Sequence, residues 1–421
     1  MRIVALLLGL CAAKVVFLAE VCRHGARSPL HLMKWDQDGR WSESSGQLTA
    51  AGMRQHYLLG SELRKRYPDL FNRSYSEDLF RVVSTDVDRT IMSAEAQLLG
   101  LFPKGQMLTN ASYAVPPLNI SSKDDSYLLD LETEALPNRF QPIAVHSNNA
   151  APLLTPQLQV CPKLHSLDQE AETGSAARAA VRHYPEVLAA VKEVLGGSEQ
   201  EAVKAMREVL DSVEANVFEG KELPQAFTKD LLGQMKELND QLFSLSYQPD
   251  STGRLWASQF LSELTEVLEA VSSQSESTVF RLYSAHDTTV AGVLSGLEAF
   301  NSTVPPFAST ILFEVSDSLT LRVLYNDQPL HLPGCASLQC PLSTAISYMR
   351  NRAYSDFPSA CGLSQADSAS GWAKGMAWTA LTVLLVGMLM AVAAVLASFR
   401  VTKRRGHLQE ARDVVVQQSD R

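Results

Sequence analysis

Three short apolar runs, each followed at once by polar residues, set the frame of this chain: Val15 to Cys22, Phe80 to Ser84 and Val279 to Ser284. Their β-branched and aromatic content predicts buried strands. Behind each run the period changes to that of a helix. Thr49 is placed to cap a helix through Met53, Tyr57, Leu58 and Leu63 toward Tyr67, with Pro68 as its stop. Ser84, Thr85 and Asp86 are cap candidates for a second helix through Met92, Ala96 and Leu99, and Thr288 to Leu297 reads as a third. Strand followed by helix, repeated, predicts an α/β sheet layered by helices. Thr310 to Val315 and Leu319 to Tyr325, joined across Asp317-Ser318, read as an antiparallel hairpin, so the sheet is expected to be mixed.

Between 106 and 250 the pattern differs. Loops rich in Pro, Asn and Ser come first, then helical stretches at Pro185 to Leu195, Glu199 to Val217 and Leu223 to Phe243. This reads as a helical cap inserted between two halves of an α/β core, 14–105 and 251–365. The stripe Met206, Leu210, Val213 reads as packing rather than binding.

The two ends follow different rules. Arg2 precedes an apolar run from Ile3 to Ala13, which fits a secretory signal over residues 1–13. From Ala377 to Phe399 there are 23 residues without a formal charge, followed by Arg400, Lys403, Arg404 and Arg405. That is long enough to span a bilayer, and the basic flank predicts a single-pass anchor with a cytoplasmic tail, 400–421, and a lumenal (lysosomal or endosomal) or extracellular N-terminal part. Trp372 and Trp378 stand where interfacial aromatics are expected.

Composition narrows the partners. The total charge of −9, less +3 in the tail and +1 in the leader, leaves −13 on residues 14–376. An acidic body without a basic stripe argues against nucleic acid. Of six cysteines, Cys11 leaves with the signal. Cys22 reads as a free core thiol, Cys335 and Cys340 as a local clip, and Cys161 and Cys361 as the candidate long bridge, with other pairings open. The cysteines show no metal-ligand spacing. Sequons at Asn72, Asn110, Asn119 and Asn301 suit glycosylation in a secretory compartment.

Candidate chemistry sits where the three strands end. Arg23-His24-Gly25-Ala26-Arg27-Ser28-Pro29 closes the first, Arg89 follows the second, and His286-Asp287 follow the third. Ligands of open α/β sheets bind beyond the carboxyl ends of strands, so these segments are expected to share one cleft. Guanidiniums hold phosphate oxygens in pairs and keep their charge, and an imidazole between two of them is placed to attack a phosphoryl group.

On these residues, together with Gln47-Leu48-Thr49, Gly52, Gln55-His56, Ser84 to Thr90 and Tyr283 to Thr289, the chain resembles the histidine acid phosphatase family over most of residues 14–365. That resemblance implies a phosphoglycerate-mutase-like mixed sheet and hydrolysis of phosphate monoesters without metal or cofactor. It implies His24 as the nucleophile that becomes phosphorylated, Arg23, Arg27, Arg89 and His286 as phosphate ligands, and Asp287 as proton donor to the leaving oxygen. The arginines should depress the His24 pKa, and phosphate should help Asp287 keep a proton, so an acidic optimum is expected. Related enzymes are commonly homodimers, although no pattern here marks an interface.

Departures from the family bear on substrate. Many of its phosphatases carry an acidic residue where this chain has Ala26, and five cysteines allow at most two intrachain bridges. A phytase-like enzyme acting on inositol phosphates is the first alternative, with Lys34, Arg40 and Lys123 as a partial basic surround. A catalytically inactive, membrane-tethered binding protein is the second, and its expected signature, loss of His24 or Asp287, is absent. A mutase-like activity suits neither the acidic charge nor a lumenal location. His146, His31 and His56 read as structural or solvated histidines outside the catalytic set.

Overall fold

The computed structural model describes residues 13–37, 39–108, 134–147, 150–156 and 161–363. The expected leader, all but Ala13, and the expected anchor at 377–399 lie outside the described residues, as do Lys123, Asn110 and Asn119. Among the described residues no helix is long and apolar enough to cross a membrane.

The three apolar runs form strands β1 (Val15–Arg23), β2 (Phe80–Ser84) and β3 (Phe280–Ala285), which lie parallel with β3 in the middle. On the other side of β1 the sheet turns antiparallel through β4 (Thr310–Ser316), β5 (Thr320–Tyr325) and β6 (Gln328–Leu330), while β7 (Cys340–Pro341) pairs with the start of β5. The sheet is mixed, as the sequence predicts.

Both faces are covered, and β1 shows why its sequence reads as one unbroken apolar run. Phe17, Ala19 and Val21 pack on one side, with helices α8 (Arg254–Ser272), α9 (Asp287–Gly296) and α10 (Leu342–Arg352). Leu18 and Cys22 pack on the other, where α1 (Ala50–Arg66) and α2 (Asp88–Leu101) lie. Thr49 caps α1 as expected, its hydroxyl accepting the Gly52 N–H at 3.1 Å. The expected cap of α2 is displaced: Val87 occupies it and no side chain caps. The hydroxyls of Ser84 and Thr85 are committed elsewhere, the first to the Thr85 carbonyl and the second to His286 and Thr90.

Between the two halves of the sheet, α3 (Pro162–Thr173), α4 (Ser175–His183), α5 (Pro185–Leu195), α6 (Glu199–Phe218) and α7 (Lys229–Ser244) follow in sequence. Met206, Leu210 and Val213 are buried in a second core formed by α4 to α7 with Met33. Helix α7 starts later than Leu223, because a turn at Pro224 closes first and Thr228 then caps Leu231.

Cys161–Cys361 and Cys335–Cys340 are bonded, and Cys22 is free and buried. The first bridge closes a loop with a sequence separation of 200, the second one of 5. Loop-closure entropy grows with the logarithm of loop length, so replacing Cys361 by Ser should cost about 3 kcal/mol more stability than replacing Cys340. Calorimetric melting of the two variants checks this, and equal losses would contradict it.

Candidate active site

The carboxyl ends of the three parallel strands are level: Arg23 stands opposite Ala285, and Ser84 opposite Ser284. The chain therefore delivers Arg23-His24, Thr85 and His286-Asp287 to one edge of the sheet. Arg23, His24, Arg27 and His286 are buried.

The loop after β1 is held by the start of α1. A Cβ on Gly25 would meet the Gly52 carbonyl at 2.3 Å, and one on Gly52 would meet the Ala26 carbonyl at 2.2 Å. Only two glycines permit this approach. Gln55 accepts the Ala26 N–H at 2.8 Å, Thr49 N–H donates to the Ala26 carbonyl at 2.9 Å, and Ser28 N–H to the Gln47 carbonyl at 3.0 Å. These contacts give Gln47, Thr49, Gly52 and Gln55 a shared purpose, the fixing of residues 25–28. His56 is buried beneath, one ring nitrogen 3.0 Å from the Arg23 carbonyl and the other 3.0 Å from Gln97, whose amide donates to Glu20 at 2.6 Å. Burial pushes the Glu20 carboxyl up to about 7.

His24 is oriented by its own neighbour. Its Nδ1 lies 2.8 Å from the Gly25 carbonyl oxygen, which can only accept, so Nδ1 carries the proton and Nε2 keeps its lone pair. Burial lowers the ring pKa well below 6.5, and Arg23, Arg89, Arg27 and His286 lower it further. The ring is thus held toward its free-base form.

Around it stand the cations. Arg23 pairs with Asp287 at 2.9 Å, donates to the Pro305 carbonyl, and lies over the Phe307 ring at 4.1 Å. Arg89 reaches Nδ1 of His286 at 3.4 Å. His286 in turn meets the Thr85 hydroxyl through Nε2 at 2.9 Å, and burial followed by Arg89 brings its pKa down to about 4. Arg89, lowered by burial and by Arg27 to about 10, stays charged at any working pH. The Nε–H groups of Arg23, Arg27 and Arg89 are buried and have no hydrogen-bond partner among the described residues. Three unmet cationic donors at one cleft are the expected signature of an anion site.

Asp287 opens α9, its Oδ1 accepting the Thr288 N–H at 2.7 Å. Burial raises its pKa, but Arg23, Arg27 and His286 outweigh that, so the carboxyl sits below the usual 3.8 in the free site. All six residues singled out from the sequence, Arg23, His24, Arg27, Arg89, His286 and Asp287, meet in this cleft. Ala26, by contrast, is fully buried in the loop. His146 extends the sheet beyond β2 through its backbone, bridging Val83, and takes no part.

The sequence did not point to the other contributors. Asp211 and Glu214, from α6, pair with Arg27 and Arg23. Phe307 lies under the guanidiniums, and Thr85 holds His286. Lys34 and Arg40 are engaged elsewhere: the first donates to the Leu195 carbonyl and the second to that of Glu222.

Comparison with known proteins identifies the family. The chain is 29% identical to bovine prostatic acid phosphatase over 372 residues, covering 84% of this chain and 89% of that protein. It is 30% identical to the human prostatic enzyme (79% and 83% covered) and 29% identical to human lysosomal acid phosphatase (90% and 88% covered). Its fold is similar to the phytase of Citrobacter braakii, with a TM-score of 0.57 and 17% identity over 83% of this chain and 99% of that one. The Hafnia alvei phytase is similar too, at a TM-score of 0.56 and 18% identity over 83% and 98%. Residues 14–326 match the family described as the histidine phosphatase superfamily, branch 2, and the chain belongs to it.

Proposed function

We propose that this chain is an acid phosphatase that hydrolyses phosphate monoesters through a phosphohistidine on His24. The observation that carries the reading is the lone pair of His24 Nε2 set among three guanidiniums whose Nε–H groups lack partners. Arg23, Arg27 and Arg89 take the phosphoryl oxygens with His286, and their charge supplies the stabilisation that phosphoryl transfer needs. Nε2 attacks phosphorus as the bond to the ester oxygen breaks, and the leaving oxygen takes a proton from Asp287. The positive charge on the phosphorylated ring is met by the Gly25 carbonyl at Nδ1. Water then attacks phosphorus, gives its proton to the Asp287 carboxylate, and the P–N bond breaks to release phosphate.

Asp287 obtains that proton from substrate binding. In the free site Arg23 keeps it ionised, whereas a bound phosphate dianion engages Arg23 and adds negative charge beside the half-buried carboxyl. Its pKa then rises, so binding draws a proton in.

Prostatic and lysosomal relatives support a catalytic part in a lumen or outside the cell. The uncharged stretch 377–399 with its basic flank supports a single-pass anchor, residues 1–13 a cleaved leader, and the exposed Asn72 and Asn301 glycosylation. The regions 14–105 with 251–365 and 106–250 are read as catalytic core and helical cap.

His24→Ala should lower kcat for an aryl phosphate by at least about a thousandfold and abolish acid-labile phosphate trapped on the protein. Rates equal to wild type would overturn the nucleophile assignment. Asp287→Asn should slow alkyl phosphates, whose leaving oxygen needs a proton, by about a hundredfold more than p-nitrophenyl phosphate. Equal losses on the two would remove Asp287 from that role. Because the bound state holds a dianion beside a protonated Asp287, the inhibition constant of inorganic phosphate should stay level in mild acid, where the monoanion brings that proton, and rise as the pH passes neutrality and the monoanion is lost, and activity should peak below pH 7. A maximum above neutrality would contradict the scheme.

A further inference from the structure

Two carboxylates of the cap face the phosphate site from one side of α6. Asp211 and Glu214 are three residues apart and so share a helix face. Asp211 clasps Arg27 with both oxygens, at 2.5 and 3.3 Å, and accepts the Leu30 N–H at 2.8 Å. Glu214 lies 3.5 Å from Arg23. The reaction does not call for either, since nucleophile, proton donor and cations all come from strand ends and the loops and helix starts behind them. What they change is the field. Three guanidiniums face Asp211, Glu214 and Asp287, so the free cleft is close to neutral where, without the cap pair, it would carry a net positive charge. A substrate with a second phosphate beside the scissile one must bring that anion up to the cap carboxylates. Lys34 and Arg40, the described cations that the phytase alternative relied on, are occupied by carbonyls.

We propose that Asp211 and Glu214 are specificity-determining residues, which disfavour polyphosphorylated substrates and reserve the site for single monoesters with uncharged or cationic leaving groups. This rests on the phosphatase reading above. It places the selectivity on the cap rather than on the motif loop, where Ala26 offers no charge.

The test uses the full-length protein near neutral pH, with p-nitrophenyl phosphate as substrate and two competitive inhibitors, inositol hexakisphosphate and inorganic phosphate. In Asp211→Asn and in Glu214→Gln, the inhibition constant for the polyanion should fall about tenfold relative to that for inorganic phosphate. Asp211→Glu, which keeps the charge, should retain the wild-type ratio. In the wild type, added salt should shift the ratio toward the polyanion, because screening weakens repulsion. An unchanged ratio in both neutral variants overturns the proposal. If neither variant folds, the wild-type salt series decides, and a shift away from the polyanion overturns it. A wild type that leaves p-nitrophenyl phosphate intact would instead remove the phosphatase reading itself.

Discussion

Everything in the cleft depends on keeping three guanidiniums together, two of them buried and that of Arg89 half-buried. Like charges at such range repel, and each costs free energy to desolvate, so the arrangement holds only if compensating charge is always present. In the free protein that charge comes from Asp287, Asp211 and Glu214. When phosphate occupies the cleft, the dianion takes the place of Asp287 on Arg23, and that carboxylate becomes easier to protonate. On the proposed mechanism Asp287 is thereby supplied with its proton by the substrate, which would tie the chemistry to an acidic medium without a dedicated sensor.

The same economy governs the histidines. His24 is fixed through Nδ1 to the Gly25 carbonyl, and His286 through Nε2 to the Thr85 hydroxyl with Arg89 at its Nδ1. Burial and neighbouring cations hold both neutral. A neutral ring is a nucleophile, a protonated one is not. The glycine pair at 25 and 52 serves this end at the level of the backbone, since without side chains the loop can rest directly on the first turn of α1.

Much of this was legible in the sequence because it is local. An apolar run with its polar tail marks a strand end, and parallel strand ends share an edge, so residues 262 positions apart, 24 and 286, could be assigned to one cleft. The helix starts were less legible. Thr85 has the chemistry of a cap, yet its hydroxyl serves His286 and the helix begins at Asp88 without one. The cap contribution was hidden for a stronger reason. Asp211 and Glu214 lie on a helix that the 3.6-residue period reveals, but which face meets the cleft is decided by the packing of α4 to α7, which no single stretch encodes. Phe307 follows two prolines in a segment with no period at all.

The long bridge has an implication for the life of the protein. Cys361 is tied back to Cys161, and every residue of the cleft precedes it in the chain. A protease cutting between 364 and 376 would sever whatever follows while leaving the covalent frame of the catalytic part whole. With the proposed anchor, tethered and shed forms would carry the same machinery, and the location of the activity could change without any change in its chemistry.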